Sequence, residues 1–138
     1  MTKRHEDRIR IANAEVLGKG DLDRVDEFFA TDYVLHAGGK NHRGLDFVRR
    51  FIRQLRSAVP DLRVVKVEVL SQAPGRIVWQ RTLRGTHKAS LKGIPPSGQR
   101  VEWRDMVITR FDGAKIAEDW AVSELAGELL LKQRPVRA

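Results

Sequence analysis

Two aspartates, one arginine and two histidines stand where the apolar pattern of this 138-residue chain leads inward. All are residue types that hold or move protons. Asp105 falls between Trp103 and Val107 in a run, Val101, Trp103, Asp105, Val107, Thr109 and Phe111, that shares one strand parity. A carboxylate on such a face either meets a cation or has its pKa raised by its surroundings, and a raised carboxylate exchanges protons near neutral pH. Asp119, immediately before Trp120, sits on the following strand. A tight Asp112–Gly113 turn would bring it within reach of Asp105, so that one acid serves as base while the other stays protonated. Arg81 shares a parity with Ile77, Trp79, Leu83 and His87. It is suited to an oxyanion or a carbonyl, and equally to being the counter-ion of Asp105. His36 follows Val34–Leu35 and precedes two glycines, and His87 follows Gly85–Thr86; either is a proton relay at physiological pH. Trp79, Trp103, Phe29 and Val107 supply apolar walls. The bland alternatives stand beside these: Asp105 as a structural partner of Arg81, and Asp119 as an exposed strand residue, since Lys115, Ala117 and Ala121 on its parity are not strongly apolar.

The elements that must position these groups divide into halves. Ile9, Ala12 and Val16 predict a first helix stopping near Gly18 and Gly20. Asp21 reads as the N-cap of a short second helix carrying Leu22, Val25 and Phe28 or Phe29. Leu45, Val48, Ile52, Leu55 and Val59 form the apolar stripe of a third, ended by Pro60. Tyr33–His36 reads as a short strand before a Gly38–Gly39 turn. Beyond Pro60 the period becomes two: Val65, Val67 and Val69 predict one strand, Ile77 to His87 a second, Val101 to Phe111 a third and Lys115–Val122 a fourth. Residues 93–98, GIPPSG, form a loop, and a short helix begins at Ser123. Helices followed by successive antiparallel strands indicate a single α+β domain over residues 1–138, with a core from about 10 to 131.

Composition narrows the chemistry. The absence of cysteine removes disulfides, thiolate nucleophiles, zinc fingers and iron–sulfur sites, and fits a cytoplasmic location. No apolar run spans a membrane. The net charge is +8, of which +2 lies in residues 1–10 and +3 in residues 131–138, including Lys132, Arg134 and Arg137. Charge in the tails rather than on a folded face argues against a nucleic-acid partner, although Arg49, Arg53 and Arg56 share a helical face. No HExxH, GxSxG, GxGxxG or Walker loop occurs, so neither a metal nor a nucleotide cofactor is indicated.

Three segments together resemble the SnoaL-like polyketide cyclase (ester cyclase) family: Arg81-x-x-x-Gly85-Thr86-His87, the loop Gly93-Ile94-Pro95-Pro96-Ser97-Gly98, and Asp112-Gly113-x-Lys115-Ile116-x-Glu118-x-Trp120. Val59-Pro60-Asp61-Leu62 is similar to that family's FPDL step, and Tyr33–His36 to its D-x-V-x-H. The resemblance implies an NTF2-like α+β fold: a cone-shaped barrel with three N-terminal helices packed on a curved, mostly antiparallel sheet around a deep apolar pocket, commonly paired as a homodimer through the sheet. It implies intramolecular aldol condensation of a hydrophobic, polyketide-like small molecule without metal or cofactor, one aspartate abstracting and returning the proton. Asp119 matches that acid/base position. Asp105 departs from the family's pocket histidine, and Glu118-Asp119-Trp120 replaces a frequent Glu-His-Trp. The residue types of Arg81, Asp105 and Asp119 also resemble the Asp-Arg-Asp set of limonene-type epoxide hydrolases, though not their spacing. A third reading is a non-catalytic ligand-binding or dimerisation module of the same fold.

Overall fold

The computed structural model describes residues 2–133. Arg134 and Arg137 of the basic tail lie outside the described residues. Helix α1 (Thr2–Ile11) runs into wider π-helical turns (Ala12–Gly18). A 3-10 turn (Leu22–Arg24) leads to the short α2 (Val25–Phe28), and α3 spans Leu45–Ala58. The strands are β1 (Phe29–Ala37), β2 (Lys40–Arg43), β3 (Arg63–Ala73), β4 (Arg76–Thr86), β5 (Arg100–Asp112) and β6 (Lys115–Ser123); α4 (Leu125–Leu131) follows. They form one curved, open sheet in the order β2-β1-β6-β5-β4-β3. The β1–β6 pair is parallel and the others are antiparallel.

Burial of apolar faces explains the arrangement. Ile9 and Val16, Val25 and Phe28, and Val48, Ile52 and Leu55 point their helical stripes at Ile77, Leu83, Val101 and Trp103 on the sheet. Strand β5 shows the cleanest alternation, with Val101, Trp103, Asp105, Val107, Thr109 and Phe111 all buried. Its pairing with β4 is unbroken from Arg76↔Arg110 to Thr86↔Arg100, so Arg81 lies opposite Asp105.

The step after α3 is held by a local clamp. Both oxygens of Asp61 accept hydrogen bonds from Thr86, Oδ1 from the backbone N–H at 2.7 Å and Oδ2 from the hydroxyl at 2.8 Å. Gly85 must be glycine here, because a Cβ would stand 2.2 Å from Val59 Cγ1. Several motif residues are therefore architectural.

Four local expectations are corrected. The short strand at Tyr33–His36 extends over nine residues and turns through Gly38 and Gly39, both at positive φ, into an unanticipated β2. Val65 does not share the half-buried face of Val67 and Val69, because a bulge between Val64 and Lys66 leaves it exposed. Asp21 makes no side-chain cap. The final helix starts at Leu125, with Ser123 Oγ accepting the Leu125 N–H at 3.1 Å.

Candidate active site

Between the helices and the concave face of the sheet lies a cavity of about 510 Å³. Its walls come from α1 and α3 on one side and from β1, β4, β5 and β6 on the other. Phe29, Trp79, Trp103 and Val107 line it, as do Asp105, Asp119 and Arg81.

Asp119 reaches the cavity through a bulge. The register passes from Phe111↔Ile116 to Arg110↔Glu118, leaving Ala117 as the extra residue of β6. Inward parity therefore moves from the even residue Ile116 to the odd residues Asp119 and Ala121. On the other side, parallel pairing sets Leu35 beside Asp119 and His36 beside Trp120.

The Asp119 carboxylate accepts two hydrogen bonds, from Tyr33 Oη to Oδ2 at 2.7 Å and from Thr109 Oγ1 to Oδ1 at 2.5 Å. Trp79 Nε1, which can only donate, gives its hydrogen to Thr109 Oγ1 at 2.9 Å. That contact leaves the Thr109 hydroxyl hydrogen directed at Asp119. Burial raises the Asp119 pKa, while the Thr109 and Tyr33 bonds and the Arg81 charge act the other way; burial prevails. Burial also pushes the Tyr33 phenol well above its usual range, reinforced by the charge of Asp119, so Tyr33 stays a donor.

A second polar group occupies the cavity further along the sheet. Arg81 Nε donates to Asp105 Oδ2 at 2.9 Å, and Arg81 Nη1 donates to Asn13 Oδ1 at 3.0 Å. Asn13, in the π-helical turns, donates from Nδ2 to Ile9 O at 2.9 Å. The guanidinium also lies 5.4 Å from the Trp79 ring centre. Asp105 is thus the ion-pair partner of Arg81.

The expected meeting of the two aspartates does not occur. Asp119 pairs with Thr109 and Asp105 with Ser123. Thr109 and Asp105 are four positions apart on β5, or ~13 Å of extended chain. Each carboxylate has its own partners and no proton is shared between them.

The two histidines lie elsewhere. His36 is on the outer face of the sheet, with Nε2 2.6 Å from Glu118 Oε2 and Nδ1 2.6 Å from Asn41 Oδ1. Both neighbours are acceptors, which suits an imidazolium, and the bond to Glu118 raises the His36 pKa. The ring stacks on Trp120, and Arg76 lies over the same indole. His87 is fully buried at the end of β4, outside the cavity lining. Its backbone holds the 93–98 loop, through His87 N to Gln99 O and Gly98 N to His87 O.

Tyr33, Thr109 and Asn13 join the site without being marked as site residues by the sequence. Thr109 carries a signal, as a polar residue inside the buried β5 run; Asn13 carries a weaker one, four residues after Ile9 on the inward helical face. Tyr33 carries none beyond its strand.

Solved structures share this architecture. A SnoaL-like polyketide cyclase from Agrobacterium tumefaciens is 26% identical, with a TM-score of 0.71 over 89% of this chain and 94% of that one. AclR from Streptomyces galilaeus, described as a candidate hydroxylase, is 25% identical at a TM-score of 0.75, covering 96% of each chain. A candidate SnoaL-like polyketide cyclase from Jannaschia sp. CCS1 reaches a TM-score of 0.83 at 20% identity, covering 97% of this chain and 94% of that one. Comparison with curated protein sequences finds no match. The family model for SnoaL-like polyketide cyclase matches residues 7–133, nearly the whole chain. With the NTF2-like fold already in place, that match makes this chain a member of the SnoaL-like polyketide cyclase family.

Proposed function

We propose that the protein is a cofactor-independent enzyme catalysing an intramolecular aldol-type ring closure, with Asp119 as general acid/base. The observation that carries this reading is the Asp119 carboxylate, 8% exposed and held by two hydroxyl donors at the wall of a largely apolar cavity.

The ionised carboxylate takes a proton from a ligand carbon made acidic by a neighbouring carbonyl. The enolate carbon then bonds to a second carbonyl carbon of the same molecule. The resulting alkoxide recovers the proton from Asp119 and becomes a hydroxyl, so the product is an isomer of the substrate. Burial brings the acidity of Asp119 closer to the operating pH, which favours transfer in both directions. Tyr33 and Thr109 fix the carboxylate and are positioning residues. Arg81 lends a positive field to the developing enolate. Phe29, Trp79, Trp103 and Val107 exclude water and fold an apolar ligand on itself.

His36 and His87 have no place in this scheme, since neither lines the cavity. The separation of Asp105 from Asp119 disfavours an Asp-Arg-Asp epoxide hydrolase.

We also propose a homodimer through the outer sheet face. Met106, Ile108 and Val122 lie there 50%, 40% and 74% exposed, a band that a second copy would cover. No helix among the described residues is long and apolar enough to cross a membrane. A cytoplasmic location fits the lack of cysteine.

The test is a synthetic aromatic β-ketoester bearing a ketone within ring-closing reach. Formation of the cyclised isomer by the wild type, and its loss in Asp119→Asn, supports the reading. Equal rates in the two proteins overturn it.

A further inference from the structure

Asp105 stands on the cavity wall but offers no open group to a ligand. Oδ2 receives Arg81 Nε at 2.9 Å, while Oδ1 is buried and meets no donor among the described residues. A buried ion pair of this kind is a poor source of stability, since two charges leave water for one contact. What Asp105 does to the cavity it does through Arg81. That guanidinium is held from two sides. Asp105 takes Nε from β5, and Asn13 takes Nη1 at 3.0 Å from the π-helical turns. Asn13 is itself 5% exposed and anchored to Ile9 O at 2.9 Å.

The group exposed to that charge is Asp119. The charged residues of the cavity lining are Arg81, Asp105, Asp119 and the exposed Lys92; the helices add none. Tyr33 faces Asp119 from β1, and Glu118 lies on the other face of its own strand. The Arg81 guanidinium carbon is 5.4 Å from the Trp79 ring centre, and Trp79 Nε1 donates to the Thr109 hydroxyl that holds Asp119. One indole therefore stands between the cation and a donor of the carboxylate. Against burial, which is the largest effect on both groups, the Arg81 charge favours the ionised form of Asp119 and of Tyr33. An arginine side chain has wide rotamer freedom unless it is tied down. A guanidinium in contact with a carboxylate lowers its pKa by about one to three units.

We propose that Asp105 and Asn13 are positioning residues that keep the charge of Arg81 off Asp119, leaving that cation to the ligand. Asp105 compensates the charge and binds Nε; Asn13 fixes the far end of the fork. Asp119 is thereby left with the neutral donors Tyr33 and Thr109, and stays able to change its protonation state. The use of this arrangement rests on the reading of Asp119 as the acid/base, but the hold itself is measured without substrate.

The experiment is a carboxyl ¹³C titration of the aspartate-labelled protein without ligand, the Asp119 resonance being assigned by its loss in Asp119→Asn. Asp105→Asn leaves an oxygen for Arg81 Nε but removes the compensating charge. The Asp119 midpoint is expected about one pH unit or more below that of the wild type. Asn13→Ala alters no charge and only frees Nη1, so it moves the midpoint the same way by less. Arg81→Met combined with Asp105→Asn removes the cation with its partner and returns the midpoint to the wild-type value or above. Circular dichroism checks each fold, and where one single variant does not fold the remaining two variants decide. A midpoint unmoved or raised in folded Asp105→Asn, or in folded Asn13→Ala, overturns the hold. So does a midpoint lowered as much in the double variant as in Asp105→Asn, because loss of a like charge alone would then explain it. Failure of the hold leaves ring closure by the wild type untouched, and failure of ring closure leaves these titrations untouched.

Discussion

Glu118 and Asp119 are adjacent carboxylates that the sheet sends to opposite faces. On the outer face, Glu118 meets His36 and Arg110, and hydrogen bonds from both, His36 foremost, hold its pKa below the usual carboxylate range. On the inner face, Asp119 has only neutral donors in direct contact, and burial lifts its pKa. Charged neighbours make a carboxylate a fixed ion, whereas neutral donors in an apolar cavity leave it able to change its protonation state. Asp105, also on the cavity wall, differs from Asp119 in its partner, the guanidinium of Arg81.

The largest break in this contrast is Asp119→Asn. It removes the proton carrier and keeps the shape. Thr109 can still donate to the amide oxygen, and Tyr33 can accept from the NH₂. Ring closure is expected to fall by about 10²- to 10⁴-fold, measured as initial rates, while the fold persists by circular dichroism.

Smaller changes move the proton rather than remove it. Tyr33→Phe and Thr109→Val each take away a donor that favours the ionised form. The acidic limb of the pH–rate profile should move to higher pH in both. A limb displaced by about one pH unit lowers the activity measured on it about tenfold. A purely structural role would lower the plateau and leave the limb in place.

Stability carries the same signature. The native pKa of Asp119 lies above the unfolded value of 3.8, so the native state binds the extra proton. Wild-type stability from this group is present below that value and is lost as pH rises through the native pKa. The Tm of Asp119→Asn relative to wild type should therefore rise from acid to neutral pH. A difference that stays flat, in thermal melts across that range, removes the claim of a raised pKa.

The outer face gives the smallest effect, with the same direction along the pH axis but a higher pH window. His36 has a raised pKa, so its contribution is full below the unfolded value of 6.5 and lost as pH rises through the native one. Ionised Glu118 is its partner. His36→Gln should lower Tm slightly more at about pH 5.5 than at about pH 9, with ring closure unchanged. Loss of activity would mean that the outer face takes part in the chemistry.

Much of this frame is legible in the residues. The period-two run of β5 and the apolar stripe of α3 each record a single buried face, and both patterns give nearly the right bounds. The bulge at Ala117 is not legible. It shifts the inward parity of β6, which is why the neighbours of Asp119 by simple alternation look weakly apolar. Strand β2 is short, polar and at the sheet edge, so no apolar pattern marks it. The parallel pairing of β1 with β6 joins segments some eighty residues apart in sequence, and only that pairing brings Tyr33 to Asp119. Alternation misplaces His36 because it tells which residues share a face, not which face is inside. Much of the recognisable motif set is scaffold: Asp61, Gly85 and Thr86 clamp the end of β4.

The central claim is that Asp119 is a buried carboxyl whose protonation is set by the cavity. It is tested most directly by carboxyl ¹³C NMR titration of the protein labelled at aspartate, beside Asp119→Asn. The account predicts one aspartate titrating clearly above 3.8, absent from the variant spectrum. If the resonance lost in the variant titrates at or below that value, Asp119 is an ordinary ion and the proposed acid/base chemistry falls.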